Sequence, residues 1–306
     1  MNSFPRLITL LGPTAVGKTH LAARLAYSIG GEVISADSRQ VFRGMDIGTG
    51  KDMSDYVVDG AVIPSHLIDI ADAGTEYSVF SFMNDFSAAC KSVVTKGKIP
   101  VLCGGTGLYL EAALKGYEFV DVPVNTAFRT KLANYSDAGL LDLLKGKRPL
   151  HNTTDSLQRD RIIRALEIET FKEENPVKNK SNFSESVVFG LRFERQLIRK
   201  RITQRLMARL ENGMVEEVKQ LILKGVSSNM LRYYGLEYKY IAMYLSGELT
   251  FDEMFTLLNT AIHQFAKRQM TWFRRMERNG ISIQWLEGEK GPEQNLISML
   301  SIISKS

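Results

Sequence analysis

Residues 12–19 read Gly12-Pro13-Thr14-Ala15-Val16-Gly17-Lys18-Thr19, a complete G-x-x-x-x-G-K-[ST] phosphate loop. Glycines at both ends let the backbone close around an anion, so that successive N–H groups point at it. A helix starting near Lys18 adds the positive end of its dipole. Lys18 supplies a point charge, and the Thr19 hydroxyl is of a type that ligates Mg²⁺. The loop alone does not say which polyphosphate it holds or which bond breaks. The bland alternative is a glycine-rich turn that binds nothing.

Two further segments carry polar groups after apolar runs. Asp37-Ser38-Arg39-Gln40 follows Glu32–Ser35, and Gly104-Gly105-Thr106-Gly107 follows Ile99–Cys103. Basic residues gather twice. Arg192, Arg195, Arg199, Lys200, Arg201, Arg205 and Arg209 stand against Glu194, and Lys267, Arg268, Arg274, Arg275 and Arg278 against Glu277. Either cluster alone could be a solvated helix face. Both, in a chain with a phosphate loop and a net charge of +5, point to a polyanionic partner.

The elements that must position these groups follow from hydrophobic periodicity. Leu7–Leu11 reads as a buried strand before the loop. Leu21, Ala22, Leu25, Ala26 and Ile29 give a helical stripe closed by Gly30-Gly31. A second helix is predicted from Ser78 to Lys96, with Phe82, Phe86, Ala89 and Val93 on one face. Strand, helix, strand order over the first ~115 residues implies a parallel sheet with helices on both faces. Ligands of such sheets sit at the carboxyl ends of the strands, so Gly12–Thr19, Asp37-Ser38 and Gly104–Gly107 should meet in one cleft.

Residues 118–186 are more polar and hold one amphipathic helix, about Ser156–Lys172, followed by a predicted exposed loop, Glu173–Glu185. Val187–Leu191 returns to strand character. The expected organisation is a phosphate-loop core, 1–117 plus 187–306, interrupted by a helical insertion at 118–186. From Arg195 onward the chain should be mainly helical, closing with a short strand at Ile281–Trp285.

The chain has 306 residues, 44% of them hydrophobic, which suffices for a globular core. No apolar run approaches the roughly 18 residues of a membrane span. The N-terminus enters the first strand almost at once, which leaves no room for a signal peptide. Two cysteines, Cys90 and Cys103, form neither a disulfide framework nor a zinc site. The expectation is a cytoplasmic protein with no membrane contact.

In these motifs the sequence resembles the bacterial tRNA dimethylallyltransferases, also called tRNA isopentenylpyrophosphate transferases. Gly12–Thr19, Ile34–Gly48, His66–Asp69, Tyr77–Val79, Gly104–Tyr109, Arg161–Glu167 and Ala266–Arg274 match that family's motifs in the family's order, across nearly the whole chain. Thr49-Gly50-Lys51 is similar to its Thr-Ala-Lys. There are departures. Asp160 stands where the family usually has Gln, Ile262-His263 replaces Thr-Arg, and the Gly-Tyr-[Lys/Arg]-[Glu/Gln] motif is altered around Arg232–Lys239.

The resemblance implies an α/β fold with a P-loop NTPase-like parallel sheet, and a reaction. A five-carbon allyl group moves from dimethylallyl diphosphate to the exocyclic N6 of an adenosine in the tRNA anticodon loop, giving isopentenyladenosine and diphosphate. Mg²⁺ is the implied cofactor, held through Thr19. Gly12–Thr19 would bind the diphosphate, with Lys18, Thr19 and Arg232 countering its growing charge; a plain surface role for Arg232 stays open. Asp37 corresponds to the general base, with a capping carboxylate or an outer Mg²⁺ ligand as the other reading. Asp37, Ser38, Arg39, Gln40, Thr106, Asp160, Arg161, Ile162, Ile163, Arg164, Lys267 and Arg268 fall on tRNA-contacting segments. Gln40 could instead be a solvent-facing loop residue, and Thr106 mere turn geometry. Phe265, Trp272 and Met276 read as core rather than base-stacking residues, and His66 as structural. The chain is expected to act as a monomer. Other readings are an adenylate isopentenyltransferase acting on free nucleotide, a small-molecule kinase, and a nucleotide-switched RNA-binding protein.

Overall fold

The computed structural model describes residues 6–116, 122, 124–147, 159–174, 183 and 185–305. Strand β1 (Leu7–Leu11) leads through the phosphate loop into helix α1 (Lys18–Ile29), followed by β2 (Glu32–Ala36), a small hairpin β3 (Val57–Val58) and β4 (Ala61–Val62), and β5 (Ser65–His66). Helix α2 (Val79–Thr95), β6 (Pro100–Gly104) and α3 (Gly107–Lys115) follow. Helices α4 (Thr126–Leu132), α5 (Asp137–Lys147) and α6 (Arg159–Glu174) come next. The chain ends with β7 (Ser186–Arg192), α7 (Arg195–Glu211), α8 (Met214–Leu223), α9 (Ser228–Tyr234), α10 (Leu236–Leu245), α11 (Phe251–Arg278), β8 (Gln284–Glu287) and α12 (Gly291–Ile303).

The main sheet is six-stranded, in the order β5-β2-β6-β1-β7-β8, and every pairing in it is parallel. Strands β1, β2 and β6 are buried at every position, as strands covered by helices on both faces must be. Register places Leu11 beside Gly104 and Ala36 beside Gly104. The three strand ends therefore lie side by side, and the segments that leave them start level with one another. Gly104 makes this possible: a Cβ there would stand 2.3 Å from the Ala36 carbonyl oxygen.

The helix signals correspond to real ends. Gly30, at φ 66, closes α1 with its N–H on the carbonyls of Ala26 and Tyr27. The Ser78 hydroxyl caps α2 by accepting from Ser81 N–H, and Phe82, Phe86, Ala89 and Val93 form its buried face. Phe82 also stacks on Tyr109 of α3, with ring centroids 4.2 Å apart; truncating it to alanine removes about 3–5 kcal/mol of packing. Helix α11 opens on a Thr250–Glu253 capping box and buries Leu258, Ile262, Phe273 and Met276. Met276 is buried and Trp272 half-buried, while Phe265 is exposed.

Contacts divide the chain into two compact units, residues 1–116 with 181–306, and residues 117–180. The second unit packs α4, α5 and α6 around Leu132, Leu140, Leu144, Ile162, Ile163 and Leu166. Its one buried carboxylate among the described residues, Glu167 on α6, accepts from Asn125 N–H, from both Nε and Nη2 of Arg129 and from Arg164 Nη1. Arg129 in particular holds Glu167 down at about 2.

Four expectations change. Glu173 and Glu174 complete α6 instead of opening a loop, and Phe183 is buried; the rest of that predicted loop, apart from Glu185, lies outside the described residues. The closing strand begins at Gln284, three residues late, because Ile281–Ile283 have no strand partner and only Gln284–Glu287 pair with β7. It does not end the chain, since α12 follows with Pro292 in its first turn. Finally, Phe265, expected in the core with Trp272 and Met276, is exposed, because it lies on the solvent side of α11. Among the described residues, no helix is long and apolar enough to cross a membrane.

Candidate active site

The phosphate loop is built by two left-handed residues. Ala15 has φ 65 and Gly17 has φ 81, which turns consecutive N–H groups inward. Gly17 is the N-cap of α1 and provides no side chain to occupy the helix's first N–H groups. Gly12 is required by proximity, because a Cβ there would lie 2.8 Å from the Leu191 carbonyl oxygen. Lys18 donates from Nζ to the Pro13 carbonyl at 3.4 Å, and burial lowers its pKa. The Cys103 thiol near it is pushed up to about 12 by burial and is inert packing.

The expected convergence of the three strand ends is present. Ser38 N–H donates to Thr106 Oγ1 at 3.1 Å, and Thr106 N–H donates to the Ala36 carbonyl at 3.3 Å. The Asp37 carboxylate accepts through Oδ1 from Arg39 N–H at 2.9 Å and from Gln40 N–H at 3.4 Å. That turn fixes the carboxyl group and leaves Oδ2 as its other acceptor. Arg39 lies over the ring of Tyr233, 5.1 Å from its centroid.

One clamp was not singled out in the sequence. Gln269, on α11, accepts at Oε1 from Thr14 N–H at 2.9 Å and donates from Nε2 to the Gly105 carbonyl at 2.9 Å. A single buried amide thus ties the phosphate loop to the end of β6. Its position inside the quoted motif Ala266–Arg274 was the available signal.

Helix α7 supplies the second unforeseen feature. Arg201, Arg205 and Arg209 recur every four residues and share one face of it. Arg201 donates from Nε to the Ala15 carbonyl at 2.8 Å. Arg205 donates to the Thr14 hydroxyl. Arg209 donates from Nη1 to the Gly48 carbonyl at 3.4 Å, with the Glu237 carboxylate 3.9 Å away. Burial pushes Arg205 down to about 9 and also lowers Arg209. Burial raises Glu237 and Asp55. The three arginines face a cavity of about 420 Å³ that also meets Gly17, Gly50 and Asp55. Read as sequence, these residues were one more basic run; only the helix register separates the three from Arg195, Arg199 and Lys200.

Other predicted residues are placed elsewhere. Arg232 is exposed and pairs with Glu248 at 2.6 Å; it is not part of the cavity lining. Gln40 is not solvent-facing: its Nε2 donates to the Gly50 carbonyl at 3.3 Å and its Oε1 accepts from Ser35 Oγ at 3.2 Å. Each end of its amide makes one bond within the fold, which fixes its orientation and leaves one N–H and one lone pair over. Ile162 and Ile163 are buried in the core of the second unit, so they cannot touch an RNA. Arg164 does not form a clamp with Arg161, since it donates to Glu167 and to the Val122 carbonyl at 2.6 Å. Asp160 and Arg161 are exposed on α6, and Lys267 and Arg268 on α11. His66 donates from Nε2 to the buried Glu32 carboxylate at 2.7 Å, a structural contact. Thr19 is half-buried at the start of α1. Among the described residues, no group of three His, Cys, Asp or Glu side chains is arranged to hold a metal by itself.

The sequence profile described as IPP transferase matches residues 40–276, and one described as isopentenyl transferase matches residues 5–60. The chain is 51% identical over 292 residues to tRNA dimethylallyltransferase 2 of Bacteroides fragilis, covering 95% of each protein. It is 53% identical over 283 residues to tRNA dimethylallyltransferase 1 of Porphyromonas gingivalis, covering 92% of this chain and 93% of that one. The crystal structure of the full-length tRNA isopentenylpyrophosphate transferase of Bacillus halodurans matches with a TM-score of 0.72 at 31% identity, over 98% of this chain and 96% of that one.

Proposed function

The chain belongs to the IPP transferase family, and from that premise we propose that it transfers the dimethylallyl group of dimethylallyl diphosphate to N6 of an adenosine in a tRNA anticodon loop. The observation that carries this reading is the pairing of two kinds of group at adjacent strand ends. A phosphate cradle and a turn-fixed carboxylate, Asp37, sit on β1 and β2, joined through β6 by Thr106 and Gln269.

The chemistry divides between them. The allylic C–O bond breaks and its electron pair leaves with the diphosphate. The loop N–H groups, Lys18, Arg201 and Arg205 face that growing charge and are fixed in advance, which is where electrostatic stabilisation is largest. A C–N6 bond forms, and the N6 proton passes to Asp37 through Oδ2, because Oδ1 already accepts two N–H groups. Ser38, Arg39 and Thr106, on the two strand-end segments beside that carboxylate, would orient the flipped-out adenosine. Mg²⁺ fits the site as a hard ion on oxygen ligands: the Thr19 hydroxyl would hold it together with diphosphate oxygens. When bound, it neutralises leaving-group charge.

The RNA contacts we assign are the exposed cations Lys267 and Arg268 on α11, and Asp160 and Arg161 on the insertion. The surface placement of Lys267, Arg268 and Arg161 suits phosphate positioning rather than base reading, whereas the Asp160 carboxylate, an acceptor only, suits a ribose hydroxyl or a base N–H. The protein works on RNA as a monomer, in the cytoplasm where tRNA is processed. Arg232 contributes at most through its pairing with Glu248.

The test is mass spectrometry of an anticodon stem-loop carrying an A-A-A run, incubated with the protein, Mg²⁺ and dimethylallyl diphosphate. The expected result is a gain of one five-carbon unit on an adenosine, absent with Asp37→Ala. Modification of free AMP but not of the stem-loop would reassign the chain to the nucleotide-prenylating class. Phosphoryl transfer from ATP with no prenylated product would make it a kinase.

A further inference from the structure

Arg201 and Arg205 touch the phosphate loop itself, whereas Arg209 lies one helical step beyond it, roughly 6 Å further along α7. Its seat is the turn at residues 46–50. That turn is held rigidly: the Glu217 carboxylate accepts from Asp46, Ile47 and Gly48 N–H at 2.8, 2.6 and 3.0 Å, and from the Tyr238 hydroxyl at 2.8 Å. Gly50 then opens the way for the guanidinium. It has φ +67, and a Cβ there would lie 1.5 Å from Arg209 Nη2 and 2.7 Å from its Cζ.

The neighbouring cation is used differently. Lys51, with a side chain only 2% exposed, donates to the Phe42 carbonyl, to Asp46 and to Asp69; its charge is consumed within the fold. Arg209 has a 13% exposed side chain, a long bond to one carbonyl and one carboxylate at 3.9 Å. It faces the same cavity as Arg205. A withdrawn guanidinium with neutral or distant partners, on a wall opposite a phosphate loop, is matched by an anion.

We propose that Arg209, admitted by Gly50, binds the phosphate of the prenyl diphosphate that the loop does not enclose, and so makes the site select diphosphates over monophosphates. This rests on the proposed reaction only for the identity of the natural diphosphate.

The experiment is calorimetric titration of the full chain, with Mg²⁺, using inorganic pyrophosphate and orthophosphate as probes. Arg209→Met should weaken pyrophosphate about tenfold or more while changing orthophosphate less than about threefold. Gly50→Ala should weaken pyrophosphate similarly by displacing Arg209, and the double variant should be no worse than Arg209→Met alone. Lys18→Ala, the control, should weaken both anions. Pyrophosphate affinity unchanged in Arg209→Met that keeps the wild-type circular dichroism spectrum would overturn the proposal, as would equal losses for the two anions. Additive losses in the double variant would overturn the part assigned to Gly50. Arg209-dependent pyrophosphate binding without prenylation of RNA would leave this inference standing and remove the reaction; the converse would do the opposite.

Discussion

Glu167 in the helical insertion and the arginine ladder in the sheet-bearing unit are both charge withdrawn from water, and they are treated in opposite ways. Glu167 accepts from a bidentate Arg129, from Arg164 and from a backbone N–H, so each oxygen is satisfied inside the unit. Arg201, Arg205 and Arg209 find carbonyls and a hydroxyl, with a single carboxylate at 3.9 Å. The first arrangement specifies a small three-helix core. The second leaves positive charge unanswered in a cavity, which destabilises the fold locally and attracts an anion. Withdrawn charges that are completely paired are architecture; those paired to neutral groups mark where a ligand belongs.

The comparison breaks most visibly at Asp37. Asp37→Ala should reduce prenyl transfer about 10³-fold with stem-loop affinity within about twofold, measured by single-turnover kinetics and filter binding. Next in size is Glu167→Gln, expected to destabilise the insertion by about 2–3 kcal/mol, because it strands Arg129 and Arg164. Hydrogen exchange in α4 and α6 reads that loss, and transfer chemistry per folded molecule should be unchanged. Arg205→Met should act in reverse. Ligand-free stability in a urea titration should rise by up to about 1 kcal/mol, while pyrophosphate binding weakens.

A further expected effect is one of pH. The native Glu167 carboxyl sits near 2, below its ordinary value of 4.5, so between these pH values the unfolded chain binds more protons than the folded one. The stabilisation is complete above the ordinary carboxylate range and fades as the pH falls toward about 2. Glu167→Gln should flatten that slope. An unchanged slope would assign the acid sensitivity to other carboxylates.

The sheet and the phosphate loop were legible because their signals are local. Continuous apolar runs mark Leu7–Leu11 and Pro100–Gly104, and a cap-to-glycine pattern marks α1. Much of the site was not, since it depends on what long-range packing brings together. Gln269 is separated from Thr14 by 255 residues, and beyond its place in the motif Ala266–Arg274 nothing says which loop its amide meets. Arg205 and Arg209 merge with other basic residues until a helix face is chosen. Motif similarity also carried Ile162 and Ile163 into the RNA-contact set, where burial excludes them. Arg232, expected at the diphosphate, is drawn off by Glu248.

The Gln269 clamp also sets a timetable. Residues 12–19 leave the ribosome well before the strands that flank β1, which it acquires only after residues 100 and 186. The amide that secures Thr14 arrives 255 residues later, roughly 10 to 50 seconds of synthesis. A nascent chain therefore carries the phosphate-loop sequence long before it holds a fixed cradle. Cellular diphosphates should find little to bind on unfinished protein, and chains truncated before residue 269 should fail to hold pyrophosphate even where their sheet has begun to form.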